Sequence, residues 1–131
     1  MTFKELYQNV EDRHEEVVLN NLVTTGSKMA VIESATGYLY YGVSIDAENA
    51  LGMCAERAAV ANMVTCGEVE IARIIVVDKD GKVVLPTGES RELMLSLSPK
   101  NADTEVVIDA ENQRMVRLSK LLPLWSNENK Y

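Results

Sequence analysis

Cys54-Ala55-Glu56-Arg57 and Pro86-Thr87-Gly88-Glu89-Ser90-Arg91-Glu92-Leu93 are the two stretches of this chain that decide its fold. The first stretch opens a helix predicted over about 53–65, which carries small and apolar residues and is closed by Gly67. The second stretch opens another helix, predicted over about 90–97. Roughly one strand and one turn separate the two helices, so helices and strands alternate along this part of the chain.

Apolar runs and turn residues place the strands around these helices. Segments 28–34 and 38–44 flank Ala35-Thr36-Gly37 and predict a β-hairpin. Segment 71–78 is a nearly continuous apolar run, which is typical of a strand that is covered on both faces. Shorter strands are predicted in the second half of the chain at 104–109 and 115–117, and a short apolar segment, 83–85, leads into Pro86.

The N-terminal segment has the apolar rhythm of an amphipathic helix. Its apolar residues recur with a period close to 3.6 and predict a helix over 2–23, with Gly26 after its end. His14 falls in the same series, so we expect a partly buried helix histidine rather than a metal ligand. A helical turn is predicted at 119–122. The order of elements predicts an α/β fold, an α/β/α sandwich around a central mixed sheet of about five strands, as one domain over 1–131.

Composition limits the classes of function. The chain has 131 residues, of which 47% are hydrophobic and 25% charged, as in ordinary soluble domains. A net charge of −7 disfavours a nucleic-acid partner. No apolar run approaches the roughly 18 residues of a membrane span, and the N-terminus lacks a signal-peptide profile, so we expect a cytoplasmic protein. Cys54 and Cys66 would lie about 18 Å apart on their helix, too far for a disulfide.

The two helix-opening stretches together resemble the cytidine deaminase superfamily and, within it, blasticidin-S deaminase. The resemblance covers roughly residues 26–125. It is carried by Cys-Ala-Glu at the start of one helix, by Pro-x-Gly-x-x-Arg-Glu-Leu at the start of the next, and by the tail Leu121-Leu122-Pro123-Leu124. It implies a cytidine-deaminase-like sandwich in which the two stretches meet at adjacent helix N-termini. It also implies a zinc-dependent hydrolase that deaminates a cytosine-like nucleoside.

The resemblance implies three zinc ligands, of which this chain retains one. Cys54 matches the first ligand, whereas Thr87 and Ser90 occupy the places of the two cysteines in Pro-Cys-x-x-Cys. Neutral hydroxyls are poor zinc ligands, because zinc prefers sulfur, imidazole nitrogen or carboxylate oxygen. Glu89 could replace one thiolate, but Cys54 with Glu89 is still short of three ligands. We therefore expect sub-stoichiometric zinc and a protein that folds without it.

Glu56 and Cys54 are the candidate catalytic residues. By the resemblance, Glu56 matches the general acid/base that transfers protons during deamination. A glutamate in the first turn of a helix is also favoured by the helix dipole alone, and Cys54 could be only a small buried hydrophobe. Arg57 matches a residue that neutralises thiolate charge, and with fewer thiolates it is expected to pair with Glu56 or Glu89.

The substrate-binding positions implied by the resemblance are also altered. Ser44 and Asp46 occupy the place of an Asn-x-Glu pair that holds ribose hydroxyls, and strand-end and turn chemistry is an equal alternative for them. Met29 takes the place of an aromatic residue that packs on the base. Ala55 and Glu89 complete the set of candidate substrate-binding residues.

Three functions follow from these substitutions. The first is hydrolytic deamination of a cytosine-like nucleoside or related small molecule, with an altered or absent zinc site. The second is an inactive homologue that binds a nucleoside-like small molecule, and the third is an enzyme that uses Cys54 and Glu56 for other chemistry. The resemblance further implies a homo-oligomer, a tetramer before a dimer, whose pockets are completed by neighbouring subunits.

Overall fold

The computed structural model describes residues 2–127 and 129–131, with the side chain of Phe3 left out. Within this part of the chain there are three α-helices: α1 (Phe3–Glu11), α2 (Ala55–Thr65) and α3 (Gly88–Leu97). Two short 3₁₀ helices cover Pro99–Asp103 and Leu118–Leu121. The strands are β1 (Val17–Val18), β2 (Val23–Ser34), β3 (Leu39–Ala47), β4 (Ile71–Asp78), β5 (Val83–Val84), β6 (Glu105–Asp109) and β7 (Arg114–Arg117).

All seven strands of the described chain join in one mixed sheet. The order is β1-β2-β4-β6-β7, with β3 paired to β2 and β5 paired to β4. β4 and β6 run parallel, and the other pairs are antiparallel. The expectation of about five strands was too low, because β1 and β5 add two strands of two residues each.

Helices cover both faces of the sheet and create two apolar cores. Helices α2 and α3 pack on one face with the larger core, whose members include Ile32, Ala59, Met63, Ile74 and Met94. Helix α1 packs on the other face with the smaller core, whose members include Leu6, Val10, Val31, Ile75 and Val107. Strands β2 and β4 contribute to both cores, since alternate side chains point to opposite faces. The predicted α/β/α sandwich is therefore confirmed.

The N-terminal helix ends much earlier than the apolar rhythm predicted. Helix α1 stops at Glu11, with Asp12 as its C-terminal cap. Residues 17–18 instead form β1, where Val17 pairs with Thr25 of β2. Asn20 turns the chain between the two strands, because its side-chain oxygen accepts the backbone N–H groups of residues 22 and 23. The pairing with β2, which spacing alone does not reveal, overrides the helical pattern.

His14 consequently lies past the end of α1 and not within it. It is half-buried, as expected, and its ring faces the turn at Gly81. The prediction of a helical position was wrong, because the helix ends three residues earlier.

The β3 strand approaches α2 closely, and this contact positions the start of α2. A Cβ atom on Gly42 would lie 2.3 Å from the backbone nitrogen of Ala59 and 2.4 Å from the carbonyl oxygen of Ala55. Only a residue without a side chain allows this contact. Just before α2, Met53 forms a two-hydrogen-bond bridge with Ile45 of β3. The chain therefore enters α2 directly from the edge of the sheet.

None of the helices in the described part of the chain is long and apolar enough to cross a membrane.

Candidate functional site

Both helix-opening stretches start a helix, as predicted. Cys54 is the N-cap residue of α2 and has an extended backbone, with φ −74° and ψ 155°. Thr87 is the N-cap residue of α3, with φ −63° and ψ 159°. The Thr87 hydroxyl accepts the backbone N–H of Ser90 at 3.2 Å. This cap explains why α3 begins at Gly88, two residues before the predicted start.

The three positions implied as metal ligands converge at these helix starts. The sulfur of Cys54 lies 3.1 Å from the hydroxyl oxygen of Ser90. That oxygen lies 2.8 Å from the hydroxyl oxygen of Thr87. Ser90 is only 1% exposed. These three side chains form a continuous hydrogen-bonded group, which we call the Cys54–Ser90–Thr87 triad.

The Glu56 carboxylate lies beside the triad and is only 1% exposed. Its Oε2 atom accepts the backbone N–H of Thr87 at 3.0 Å, which fixes the side chain between α2 and α3. Its Oε1 atom is buried and has no hydrogen-bond partner among the described residues. A buried acceptor without a partner is unfavourable, so one oxygen of Glu56 is anchored and the other is available to a donor from outside the chain.

Arg57 and Glu89 form an ion pair across the outer side of the two helix starts. This is one of the two pairings that the sequence suggested for Arg57. Both side chains are exposed, so the pair contributes little to stability. The Glu89 carboxylate therefore pairs with Arg57 on the outer side and is not part of the triad.

The side chains in the triad do not fit a zinc ion. They offer one sulfur and two neutral hydroxyls, and these atoms already satisfy one another by hydrogen bonds. Zinc prefers thiolate, imidazole or carboxylate donors. Within residues 2–127 and 129–131, no group of three or more His, Cys, Asp or Glu side chains is arranged to hold a metal ion.

Ser44 and Asp46 are tied to the N-terminal part of β2. The hydroxyl of Ser27 donates to the Asp46 carboxylate at 2.8 Å and lies 2.8 Å from the hydroxyl of Ser44. Because Ser27 has one hydrogen to donate, Ser44 is the donor in their contact. Ser44 also accepts the backbone N–H of Lys28 at 3.0 Å. These bonds hold together the irregular stretch between Thr25 and Met29.

The remaining candidates lie in different surroundings. Met29 packs in the smaller core beneath α1, on the face of the sheet opposite to α2. Ala55 is fully buried between Cys54 and Glu56, where α2 meets β3. The structure thus brings Cys54, Ala55 and Glu56 together with the second stretch, whereas Met29 is separated from them by the sheet.

Two residues with supporting contacts were not identified from the sequence. Ser27 hydrogen-bonds to both Ser44 and Asp46. A regular hairpin register does not predict these contacts, because the irregularity between Thr25 and Met29 shifts the pairing of β2 with β3. Arg91 donates from Nε to the carbonyl of Pro86 at 2.8 Å and from Nη1 to the carbonyl of Leu121 at 3.3 Å. Arg91 therefore stabilises the start of α3 by connecting it to the carbonyl groups of Pro86 and Leu121. The position of Arg91 in the motif could have suggested this role.

Comparison with known proteins identifies the fold. Neither a protein-family model nor a curated protein sequence matches the chain. Among solved structures, cytidine deaminase from Mycobacterium tuberculosis superposes with a TM-score of 0.73 at 22% identity, over 95% of this chain and 96% of that chain. Cytidine deaminase from Burkholderia pseudomallei gives 0.71 at 26% identity, over 95% and 98% of the two chains. The enzyme from Bacillus anthracis gives 0.70 at 21% identity, over 98% and 91%. The chain has the fold of cytidine deaminases.

Proposed function

We propose that this cytidine-deaminase fold binds a nucleoside-like small molecule, with the Glu56 carboxylate as the acceptor for the ligand's base. One observation carries the proposal: the buried Oε1 atom of Glu56 lacks a partner while Oε2 is fixed by the Thr87 N–H. An anchored carboxylate with one free acceptor is suited to the exocyclic amino group, which is the N–H donor of a cytosine-like base in a nucleoside. The similarity of the fold to cytidine deaminases supports this class of ligand.

Two helix N-termini meet at this carboxylate. Glu56 lies in the first turn of α2, and the backbone N–H of Thr87, the N-cap residue of α3, donates to it. The positive ends of both helix dipoles stabilise a negative side chain at this point. Glu56 therefore has a defined orientation before any ligand arrives, which reduces the entropy lost on binding.

Binding without hydrolysis is favoured over deamination by the chemistry of the triad. Hydrolytic deamination in this superfamily relies on a metal-activated water, with a glutamate that transfers protons. Glu56 is retained here, but the triad offers two hydroxyls where thiolates would be needed. Our proposal is therefore the second of the three functions considered from the sequence. The closer resemblance to blasticidin-S deaminase and the roles of Ser44, Asp46, Met29 and Glu89 in ligand binding stay predictions.

Calorimetry with cytidine and uridine, in buffer containing a chelator, tests the proposal. We expect binding to the wild-type protein, and affinity roughly ten- to hundredfold weaker in Glu56→Gln, because a hydrogen bond to a charged acceptor is lost. Glu111→Gln, on the exposed turn between β6 and β7, is the matched control and should bind like wild type. Equal affinity of wild type and Glu56→Gln would contradict the proposal.

An ammonia-release assay on the same samples separates binding from turnover. We expect ligand binding without ammonia release in chelator. Sustained release from cytidine that is lost in Glu56→Gln would instead favour hydrolytic deamination. Loss of binding after alkylation of Cys54, with Cys66→Ala as the background, would show that the thiol borders the ligand.

A further inference from the structure

We propose that the Cys54–Ser90–Thr87 triad does the structural work of a metal ion, because it joins the N-termini of α2 and α3 by hydrogen bonds alone. The chain is then expected to fold, and to stay folded, independently of zinc. This inference concerns stability and does not depend on whether the site binds a nucleoside.

Polar contacts link the two helix starts at three levels. At the base, the sulfur of Cys54 meets the Ser90 hydroxyl at 3.1 Å. Beside it, the Glu56 carboxylate accepts the N–H of Thr87 at 3.0 Å. On the outer side, Arg57 pairs with Glu89. Each contact connects the first turn or cap of one helix with that of the other, as a shared metal ion would.

Burial decides which of these contacts matters for stability. Ser90 and Glu56 are each 1% exposed, so both side chains are shielded from water, whereas their partner Thr87 lies at the surface. The ion pair between Arg57 and Glu89 is exposed and is screened by water and salt. Ser90 and Glu56 are therefore the two buried side chains that connect α2 with α3, Ser90 through Cys54 and Glu56 through the N–H of Thr87.

The triad is complete without a cation. Three thiolates close together would repel one another unless a metal neutralised them, and metal binding then contributes to folding. One thiol and two hydroxyls carry no such repulsion, and each can donate to or accept from its neighbour. Thr87 additionally caps α3 through the Ser90 N–H, so the helix begins correctly without a metal.

The first experiment measures denaturant unfolding of variants in the presence of a chelator. We expect Ser90→Ala to raise the unfolding equilibrium constant roughly tenfold or more, because it leaves the Cys54 and Thr87 groups without their shared partner. Ser96→Ala is the matched control: it removes a hydroxyl that bonds only within α3, on the exposed side of the same helix, and should change the constant less than about threefold. An equal effect of the two substitutions would overturn the proposal.

A second variant reaches the same hydrogen bond from the other helix, in case Ser90→Ala does not fold. Cys54→Ala should also destabilise the protein, whereas Cys66→Ala, at an exposed cysteine, should not. If the triad acts as a unit, the double variant Cys54→Ala/Ser90→Ala should be less destabilised than the two single effects predict together. Strict additivity would overturn the coupling between the two helices.

The third experiment adds zinc. The unfolding midpoint of wild type should be the same with chelator and with equimolar zinc chloride, and elemental analysis should give well under one zinc per chain. The double change Thr87→Cys/Ser90→Cys should bind about one zinc under reducing conditions, and zinc should then raise its midpoint. Stabilisation of wild type by zinc would overturn metal independence, and failure of the double variant to bind zinc would show that the triad does not occupy a metal position.

Discussion

At the scale of single residues, a hydrogen bond that shifts two pKa values joins Tyr40 of β3 to Glu68, which follows α2. The Tyr40 hydroxyl donates to Oε2 of Glu68, and the Thr36 hydroxyl donates to Oε1 at 2.5 Å. The hydrogen bond to Glu68 raises the pKa of Tyr40 to about 12. In return, hydrogen bonds from Thr36 and then from Tyr40 lower the pKa of Glu68. The contribution of Tyr40 to stability is therefore complete below about pH 10 and is lost as the pH rises through about 12. The contribution of Glu68 to stability is present above about pH 4.5, the ordinary pKa of the carboxyl group, and is lost as the pH falls below that value.

Replacement of the carboxylate tests this pair. In Glu68→Gln we expect the pKa of Tyr40 to fall from about 12 toward about 10, because the charged acceptor is gone. The measurement is a pH titration of the tyrosine ring signals by NMR in a Tyr7→Phe background, since the hydrogen bond to Glu11 raises the pKa of Tyr7 to about 12 as well. Glu70→Gln, two residues away, is the control and should leave Tyr40 unchanged. A Tyr40 pKa still near 12 in Glu68→Gln would contradict the assignment.

At the scale of elements, local composition decided what could be predicted from the sequence. The apolar run 71–78 matches β4 residue for residue, because a strand buried on both faces leaves a continuous local signal. The convergence of Cys54, Thr87 and Ser90 followed from the resemblance. The end of α1 and the hydrogen bond from Ser27 to Asp46 could not be predicted in this way. The first depends on the pairing of β1 with β2, and the second depends on the irregularity in the pairing of β2 with β3, so both require contacts between separate segments of the chain.

The contact between β3 and α2 allows a sharp test of element packing. Gly42→Ala would place a methyl group against the α2 backbone at Ala55 and Ala59, where no flexible side chain can move aside. We expect a loss of about 2 kcal/mol or more in the free energy of unfolding, measured by urea denaturation. Gly88→Ala, whose added Cβ meets nothing within 4 Å, should be neutral or slightly stabilising at the first position of α3. Equal stability of the two variants would show that α2 can shift at low cost.

At the scale of the whole molecule, several large apolar side chains remain at the surface of the described chain. Leu51 is 99% exposed and Leu124 is 100% exposed. Others lie in and around the β1–β2 hairpin, at Val18, Leu19 and Leu22. Scattered apolar residues are normal on a monomer, but a group in one region is typical of an interaction surface. The single domain, the cytoplasmic location and the homo-oligomer stay predictions.

Light scattering at micromolar concentration tests the assembly. We expect a homo-oligomer, a tetramer before a dimer, because the exposed apolar residues can be buried between copies. Leu19→Lys should reduce the mass if the β1–β2 hairpin lies in the interface. Val69→Lys, at an exposed apolar residue before β4 and near the other end of β2 from β1, is the control for an added surface charge. A mass of one chain, 14.5 kDa, at all concentrations would rule out the oligomer.

The bridge between Met53 and Ile45 also affects how the protein behaves when crowded. β3 lies at an edge of the sheet, where unpaired N–H and C=O groups can recruit a strand from another molecule and start aggregation. The bridge occupies both backbone groups of Ile45, with hydrogen bonds of 2.8 and 2.9 Å. Gly52 makes this possible, because a Cβ there would lie 2.3 Å from the Ile45 carbonyl oxygen. The loop before α2 thus covers part of the β3 edge. A side chain at position 52 would disrupt the bridge and expose the backbone groups of Ile45, so we expect such a variant to aggregate more readily at high concentration.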